Sequence, residues 1–472
     1  MDTARAKTTL PATYDRTLPH LAELSKDATV FENAATVAPW TLPSHASVFT
    51  GQYTSTHKTD AKTPLFEPDV SPLAEQLSNR GYLTGGISAN PWVSPEFGFN
   101  RGFEDFSMKW DRGWNQIDLT AAVNSESTIE GLLTIFKQTS PRRYPTLLRS
   151  LWHKKFSKTP ADNGANQITT RASEWIKNQS DSDDPFFLFL NYLEPHLPYT
   201  PPEEFSEEFL TAEELQKANE IDQDPWRYIA GQVSHSDEEF QLLEKLYLAE
   251  IKYLDAQIGR LFDWLKESGL YEETAIFVIG DHGENIGEHE LMDHQYCLYD
   301  TLVNVPLLAK HPDLESGAVE ERPVESRDLY PTILQLASVP TESLPETVSR
   351  ETLTDSSREY TVSEYLTPQP SVDTLAEWVD TNETLDQFDR VFRAIRGTDW
   401  KLIESSDGTE SLYHISEDPD EGADLASEKT DTVKQLSTTL SDTVGKLERM
   451  DSERTEIDDQ SRHRLEELGY LQ

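Results

Sequence analysis

Cysteine is nearly missing from this chain: Cys297 is the only one. An internal disulfide and a thiolate zinc cluster are therefore excluded. Within Tyr296-Cys297-Leu298-Tyr299 it reads as a small core residue. Basic residues are scarce, 41 Lys and Arg against 85 Asp and Glu, for a formal net charge of −44. Such a field argues against nucleic acid and anionic membrane as general partners. No apolar run is long enough to span a bilayer and no signal peptide opens the chain, so a cytoplasmic protein is expected. An acidic surface of this size repels itself at low salt. At molar salt the Debye length falls to about 3 Å and most of that repulsion vanishes, so salt adaptation is expected. Core-forming residues are not lacking. Hydrophobic residues make up 36% and aromatics 10%, which excludes a disordered acidic chain. The length of 472 residues suits one large domain with an appendage, or two or three smaller ones.

Along the chain, helix and strand patterns alternate. Leu18, Leu21 and Leu24 share one face of a short helix over 17–24, and Ala28 to Phe31 reads as a strand. A helix over 73–77 is followed by a strand over 82–87, with Gly85-Gly86 allowing close approach. Residues 109–166 break the pattern and carry a basic, aromatic-containing stretch, 142–158. It reads as a surface helix paired with local acids, or as a contact for an anionic substrate or a membrane surface. A helix spans 166–177. Pro185 to Tyr192 is a continuous apolar run, the pattern of a fully buried strand. Residues 205–232 read as an acidic loop with a helical turn. Leu243, Leu246, Tyr247, Ile251, Leu254, Ile258, Leu261 and Leu265 repeat at helical spacing through a long helix over 237–268. Strands follow at 274–279 and 305–309, then a helix from Leu329. After an acidic Thr- and Ser-rich stretch, 341–391, three short antiparallel strands and a terminal helix close the chain. The fold class expected is α/β: a mostly parallel central sheet flanked by helices, with a small C-terminal antiparallel-sheet subdomain.

Two stretches carry the chemistry. In Ala38-Pro39-Trp40-Thr41-Leu42-Pro43-Ser44-His45, two prolines restrict the backbone around Thr41, and a helix then runs toward Gly51. A hydroxyl on such a turn sits where helix N–H groups point, a good place for an anion. Alone, this is an ordinary capped helix. Far downstream, Gly280-Asp281-His282-Gly283-Glu284 follows an apolar strand, where open α/β sheets place their ligands. An Asp-His pair alone is weak evidence. Aiming both side chains at one ion requires the glycine-flanked turn.

Together these stretches resemble the sulfatase family of the alkaline-phosphatase superfamily. Its signature, Cys/Ser-x-Pro-x-Arg followed by a small-residue helix and Thr-Gly, corresponds here to Thr41, Leu42, Pro43, Ser44 and His45. The match extends through Glu284, Glu288-His289 and the strand at Val305 to a closing Leu468-Gly469-Tyr470-Leu471. The resemblance implies a catalytic domain over 1–340 containing the insert 109–166, a connecting region 341–391 and a C-terminal subdomain 392–472. It implies a metal set of Asp2, Thr41, Asp281 and His282 around one divalent ion; these donors suit Ca²⁺, Mg²⁺ or Mn²⁺ better than zinc. The motif Asp2-Thr3-Ala4-Arg5 opens the chain without the family's first strand before it, as expected of a start assigned too late or of a fragment. Thr3 stands where sulfatases often carry a second Asp. That pattern lies closer to the lipoteichoic-acid-synthase-like relatives, which use a Thr nucleophile on one metal.

By the same resemblance Thr41 is the nucleophile, activated by metal coordination. His196 and His294 are the candidate acids for the leaving group, since imidazole titrates near neutrality. His45 replaces the signature Arg and orients Thr41 or the anion. Asn90 lies near a substrate-binding position, and Lys401 reads as structural. Sulfatases convert their Cys or Ser to formylglycine, whose second hydroxyl expels sulfate. Thr cannot be so converted, which tilts the chemistry toward phosphorus esters. Three readings follow: a metal-dependent hydrolase of sulfate or phosphate esters with an anionic ester substrate, a phospho-headgroup transferase acting on a glycan or lipid, and a catalytically impaired binding protein.

Overall fold

The computed structural model describes residues 1–10, 17–110, 163–179, 182–376 and 385–450. The basic stretch 142–158 and the closing Leu468 to Leu471 lie outside the described residues.

The core is an α/β arrangement. Leu83–Ser88 pairs in parallel with Asp105–Met108 on one side and Phe186–Asn191 on the other. A second, four-stranded sheet runs in the order Val319–Glu320, Thr29–Phe31, Leu307–Lys310, Ile276–Ile279. Its outer pair is parallel, and Leu307–Lys310 is antiparallel to both neighbours. The expected parallel character thus belongs to the first sheet, and the second is mixed.

Backbone bonds through Met1 and Asp2 join the two sheets. Met1 N donates to Ile279 O (2.9 Å), Asp281 N to Met1 O (3.1 Å) and Asp2 N to Tyr192 O (3.0 Å). The two residues therefore lie as a strand end between Phe186–Asn191 and Ile276–Ile279. This corrects the expectation of a fully buried strand at Phe186. Its five apolar residues are only half-buried, because this strand is the edge of its sheet.

Helices cover both faces. The long helix Asp237–Glu267 begins at a capping box formed by Ser236 and Glu239. Its apolar stripe packs with Leu21, Leu24, Ile168 and Ala172 from Pro19–Asp27 and Ala165–Asn178. Each leucine buried there contributes about 2 kcal/mol. The opposite face is covered by Thr41–Thr50, Leu73–Ser78 and Leu329–Leu336, packed through Phe49, Leu77, Tyr330 and Leu334. The stretch expected as an acidic loop instead holds three short helices, Glu203–Ser206, Ala212–Ala218 and Pro225–Ile229. Side-chain caps at Thr211 and Asp224 start the last two, a local signal that acidic composition conceals.

The C-terminal antiparallel sheet has four strands, not three. Thr361–Tyr365, from the acidic stretch, pairs with Phe392–Arg396, which is followed by Trp400–Ser405 and Glu410–His414. Thr430–Val444 forms the helix that packs on it through Val433, Leu436 and Leu440.

Candidate active site

The site lies at the C-terminal ends of three strands, two from the parallel sheet and one from the mixed sheet. Leu83–Ser88 leads to Asn90, Phe186–Asn191 to His196, and Ile276–Ile279 to Asp281 and His282. Thr41 is the first residue of the helix Thr41–Thr50 and is fully buried. The helix ends at Gly51, whose φ of +71° makes a left-handed cap. The turn after Asp281 depends on Gly283, where a Cβ would lie 1.9 Å from the Thr301 carbonyl oxygen. Its amide and that of Glu284 donate to Leu302 O and Thr301 O, holding the turn closed.

These elements bring Thr41, Asp2, Asp281, His282, His45 and Asn90 together. Thr41 Oγ1 lies 3.2 Å from His282 Nε2 and accepts from Asn90 Nδ2 at 3.3 Å. Asn90 Nδ2 also donates to Asp2 Oδ2 at 2.6 Å. His282 Nε2 is 3.5 Å from Asp2 Oδ1 and 3.6 Å from Asp281 Oδ2. His45 Nδ1 approaches the Thr41 carbonyl oxygen (2.9 Å) and Asp281 Oδ2 (3.6 Å). Position 45 therefore bridges the backbone of Thr41 to one carboxylate. Ser44 Oγ donates to Asp281 O, and Thr3 N to Asp281 Oδ1.

The electrostatics of this cluster are unbalanced. Burial, followed by the Asp281 charge, pushes the Asp2 carboxyl well above its usual range. Burial holds His282 well below its ordinary pKa, with the neighbouring histidines adding to the effect. Its Nδ1–H therefore donates to Gly283 O (2.9 Å), leaving an Nε2 lone pair toward Thr41 and the two carboxylates. Asp2 Oδ1 and Asp281 Oδ2 are buried and accept no hydrogen bond among the described residues. Two orphaned carboxylate oxygens, a neutral imidazole nitrogen oriented through its other ring nitrogen, and a hydroxyl are a donor set that fits a divalent cation.

The two remaining histidines stand beside this group in different states. The His294 ring lies 4.5 Å from that of His282 and 5.2 Å from that of His196, centroid to centroid. Burial, reinforced by His294, pulls His196 down to about 4, and its Nδ1–H donates to the Leu197 carbonyl oxygen. His294 is also buried. However, the Asp293 and Glu284 carboxylates at Nδ1 outweigh the desolvation and hold it well above the usual imidazole range.

Sequence reasoning missed Glu284, which stands in the motif quoted around Asp281, and Asp293, which directly precedes His294. It also underrated Asn90, which touches Thr41 and Asp2 directly. Arg5, from the opening motif, forms a two-pronged ion pair with Glu288 at 2.7 and 3.2 Å. Lys401 lies far from the hydroxyl chemistry, fully buried between Asp300 (2.7 Å) and Glu421 (2.8 Å).

Comparison with known proteins gives the family. The family model "Sulfatase" matches residues 1–339. Arylsulfatase K of Gallus gallus is 26% identical over 450 residues, covering 90% of this chain and 77% of that protein. Choline-sulfatase of Rhizobium meliloti (strain 1021) is 24% identical over 441 residues, covering 89% and 80%. Among solved structures, the phosphonate monoester hydrolase SpPMH from Silicibacter pomeroyi superposes with a TM-score of 0.65 at 22% identity, covering 93% of this chain and 92% of that one. BT4656, in complex with D-glucosamine-2-N,6-O-disulfate, superposes with a TM-score of 0.64 at 18% identity. With its strand-end site and its match over 1–339, the chain belongs to the sulfatase family and is a sulfatase-like ester hydrolase.

Proposed function

We propose that the protein hydrolyses phosphorus esters, with phosphate diesters and phosphonate monoesters ahead of sulfates, using Thr41 as nucleophile. The observation that carries this reading is the Thr41 hydroxyl 3.2 Å from His282 Nε2, beside two orphaned carboxylate oxygens. Asp2, Asp281, His282 and Thr41 would hold one divalent ion, Ca²⁺, Mg²⁺ or Mn²⁺. When bound, that ion lowers the hydroxyl pKa and offsets charge on a non-bridging oxygen.

Thr41 Oγ1 loses its proton to bulk water and bonds to the central atom, while the bond from that atom to the ester oxygen breaks and the oxygen departs with the bonding electron pair. Asn90 fixes the hydroxyl, and His45 ties the Thr41 carbonyl oxygen to Asp281. His294 donates a proton to the departing oxygen. His196, neutral and held by its own backbone contact, stays packed against His294. A threonine has no second hydroxyl with which to expel sulfate by carbon–oxygen cleavage. The covalent ester is therefore opened by water at the central atom, a route familiar for phosphorus. The phosphonate monoester hydrolase likeness is consistent with that choice.

The test is a panel of aryl sulfate, aryl phosphate, aryl phosphodiester and phosphonate monoester, assayed with chelator and with each divalent ion. Turnover of a phosphorus ester that needs added ion is expected. Thr41→Ala should lower kcat by about 10⁴-fold or more. Unchanged turnover in that variant overturns the nucleophile assignment. Activity confined to the aryl sulfate overturns the choice of ester.

A further inference from the structure

Two strands of the parallel sheet end side by side next to the site. The register pairs Ser88 with Asn191, the last residues of Leu83–Ser88 and Phe186–Asn191. Both side chains are buried, and Ser88 Oγ donates to Asn191 Oδ1 at 3.2 Å. The same Oδ1 accepts from the Asn90 backbone N–H at 3.1 Å. An N–H only donates, so the oxygen end of the Asn191 carboxamide is the one that faces Asn90. The other end, Nδ2, is buried and has no hydrogen-bond partner among the described residues. A buried amide with an orphaned donor costs more than a leucine of similar size would. The oxygen is therefore the part of this side chain that the fold uses.

Asn90 carries this placement into the site. Its Oδ1 accepts from the Trp92 backbone N–H at 2.9 Å, a local turn that sends Nδ2 the opposite way. Nδ2 meets Asp2 Oδ2 at 2.6 Å and Thr41 Oγ1 at 3.3 Å. With Oδ2 taken by Asn90, the Asp2 oxygen that accepts no hydrogen bond among the described residues is Oδ1, 3.5 Å from His282 Nε2. A shift of the Asn90 backbone would disturb the hydroxyl and the carboxylate together.

We infer that Asn191 is a positioning residue for the reacting centre: through the Asn90 N–H it fixes the carboxamide that holds the Thr41 hydroxyl and leaves Asp2 Oδ1 for the ion. This rests on the hydrolase and single-ion reading above for what that centre does. Among the described residues Asn191 makes no hydrogen bond to Thr41 or Asp2, so its effect runs through Asn90.

The test uses the full chain with Asn191→Leu, Asn191→Ser, Asn90→Ala, and the double variants that join each of the first two to Asn90→Ala. Leucine removes the acceptor and the orphaned donor together. Serine keeps a polar atom at the strand end but stops one bond short of the Asn90 amide, and it serves where the leucine variant fails to fold. Titration of chelated protein with Ca²⁺, Mg²⁺ and Mn²⁺ in turn reads ion affinity without substrate. Each Asn191 variant should weaken the tightest of these about 10-fold, and Asn90→Ala about 10- to 100-fold. Each double variant should match Asn90→Ala within about 2-fold, because the route from position 191 to the ion is then already cut. With saturating ion and an aryl phosphodiester, kcat should fall about 10-fold in the Asn191 variants with KM held.

Losses that multiply in the double variants show a merely structural role and overturn the inference. Unchanged ion affinity in both Asn191 variants does the same. A raised KM at unchanged kcat also overturns it, since Nδ2 would then be meeting the substrate. A parent chain that takes up none of the three ions overturns it together with the ion assignment. Non-additive loss of ion affinity in a chain that turns over no ester upholds it and rejects only the hydrolase reading.

Discussion

Among the buried clusters of charge in this protein, those around Lys401 and Thr41 are built on opposite plans. Around Lys401 the charges are matched. Lys401 pairs with Asp300 and Glu421, Arg396 adds a second cation to Asp300 at 2.9 Å, and Asp300 lies beside the turn that carries the site. Around Thr41 they are not matched. Asp2 and Asp281 face His282, and Asp281 also faces His45, both imidazoles held below their ordinary pKa by burial; each carboxylate has an oxygen with no hydrogen-bond partner among the described residues. Burial costs both clusters solvation. Only the first recovers it from its own side chains. What the contrast teaches is that the second cluster leaves its charge to be offset from outside its own side chains, and its donor set would fit a divalent cation.

Breaking the matched cluster should give the largest effect. Lys401→Ala leaves two buried carboxylates uncompensated and should cost about 3–5 kcal/mol of stability. A denaturant melt reads this directly; a loss under 1 kcal/mol would show that the pairing is idle. The unmatched cluster should respond in the other direction. Saturating chelated protein with its ion at 100 times Kd should stabilise it by about 2.7 kcal/mol. Asp2→Asn should remove that gain while raising the unfolding free energy of the chelated protein by on the order of 1 kcal/mol. A chelated variant that melts lower than its parent would place the strain elsewhere.

The smallest effect is in pH, where the two clusters should differ in sign. Burial opposes the Asp300 carboxylate, but Arg396 and Lys401 outweigh it and hold it down at about 2. Its stabilisation is present above the unfolded value near 3.8 and is lost as pH falls toward 2. Asp2 has its pKa raised, so in chelated protein the folded state binds the extra proton. Stability there falls as pH rises through the raised value and is recovered on acidification. Melting curves of Asp2→Asn and the parent, compared from pH 4 to 8 in chelator, isolate this term. The gap between them should widen with pH.

How much of this could be read from the sequence follows from distance along the chain. The long helix over 237–267 was legible because its apolar period is local and lengthy. The turn at Asp281 was legible because glycine, aspartate and histidine are adjacent. The half-buried state of Phe186–Asn191 was not, since exposure there depends on which strand lies beside it. The fourth C-terminal strand, Thr361–Tyr365, hid in acidic surroundings because its partner is thirty residues later and fixes its register only in three dimensions. Glu284 and Asp293 look like solvated acids in a chain with 85 of them. Only burial and a shared histidine set them apart.

Met1 and Asp2 have a mechanical consequence. They stitch a three-stranded piece of sheet to a four-stranded one. Asn90 rides on the first piece and Asp281 on the second, with Asp2 at the seam. An ion gripped by Asp2 and Asp281 would act as a rivet at one end of that seam. Loading the site and locking the two halves of the sheet together then become a single event, so the stiffness of the scaffold is set by the occupancy of its own reactive centre.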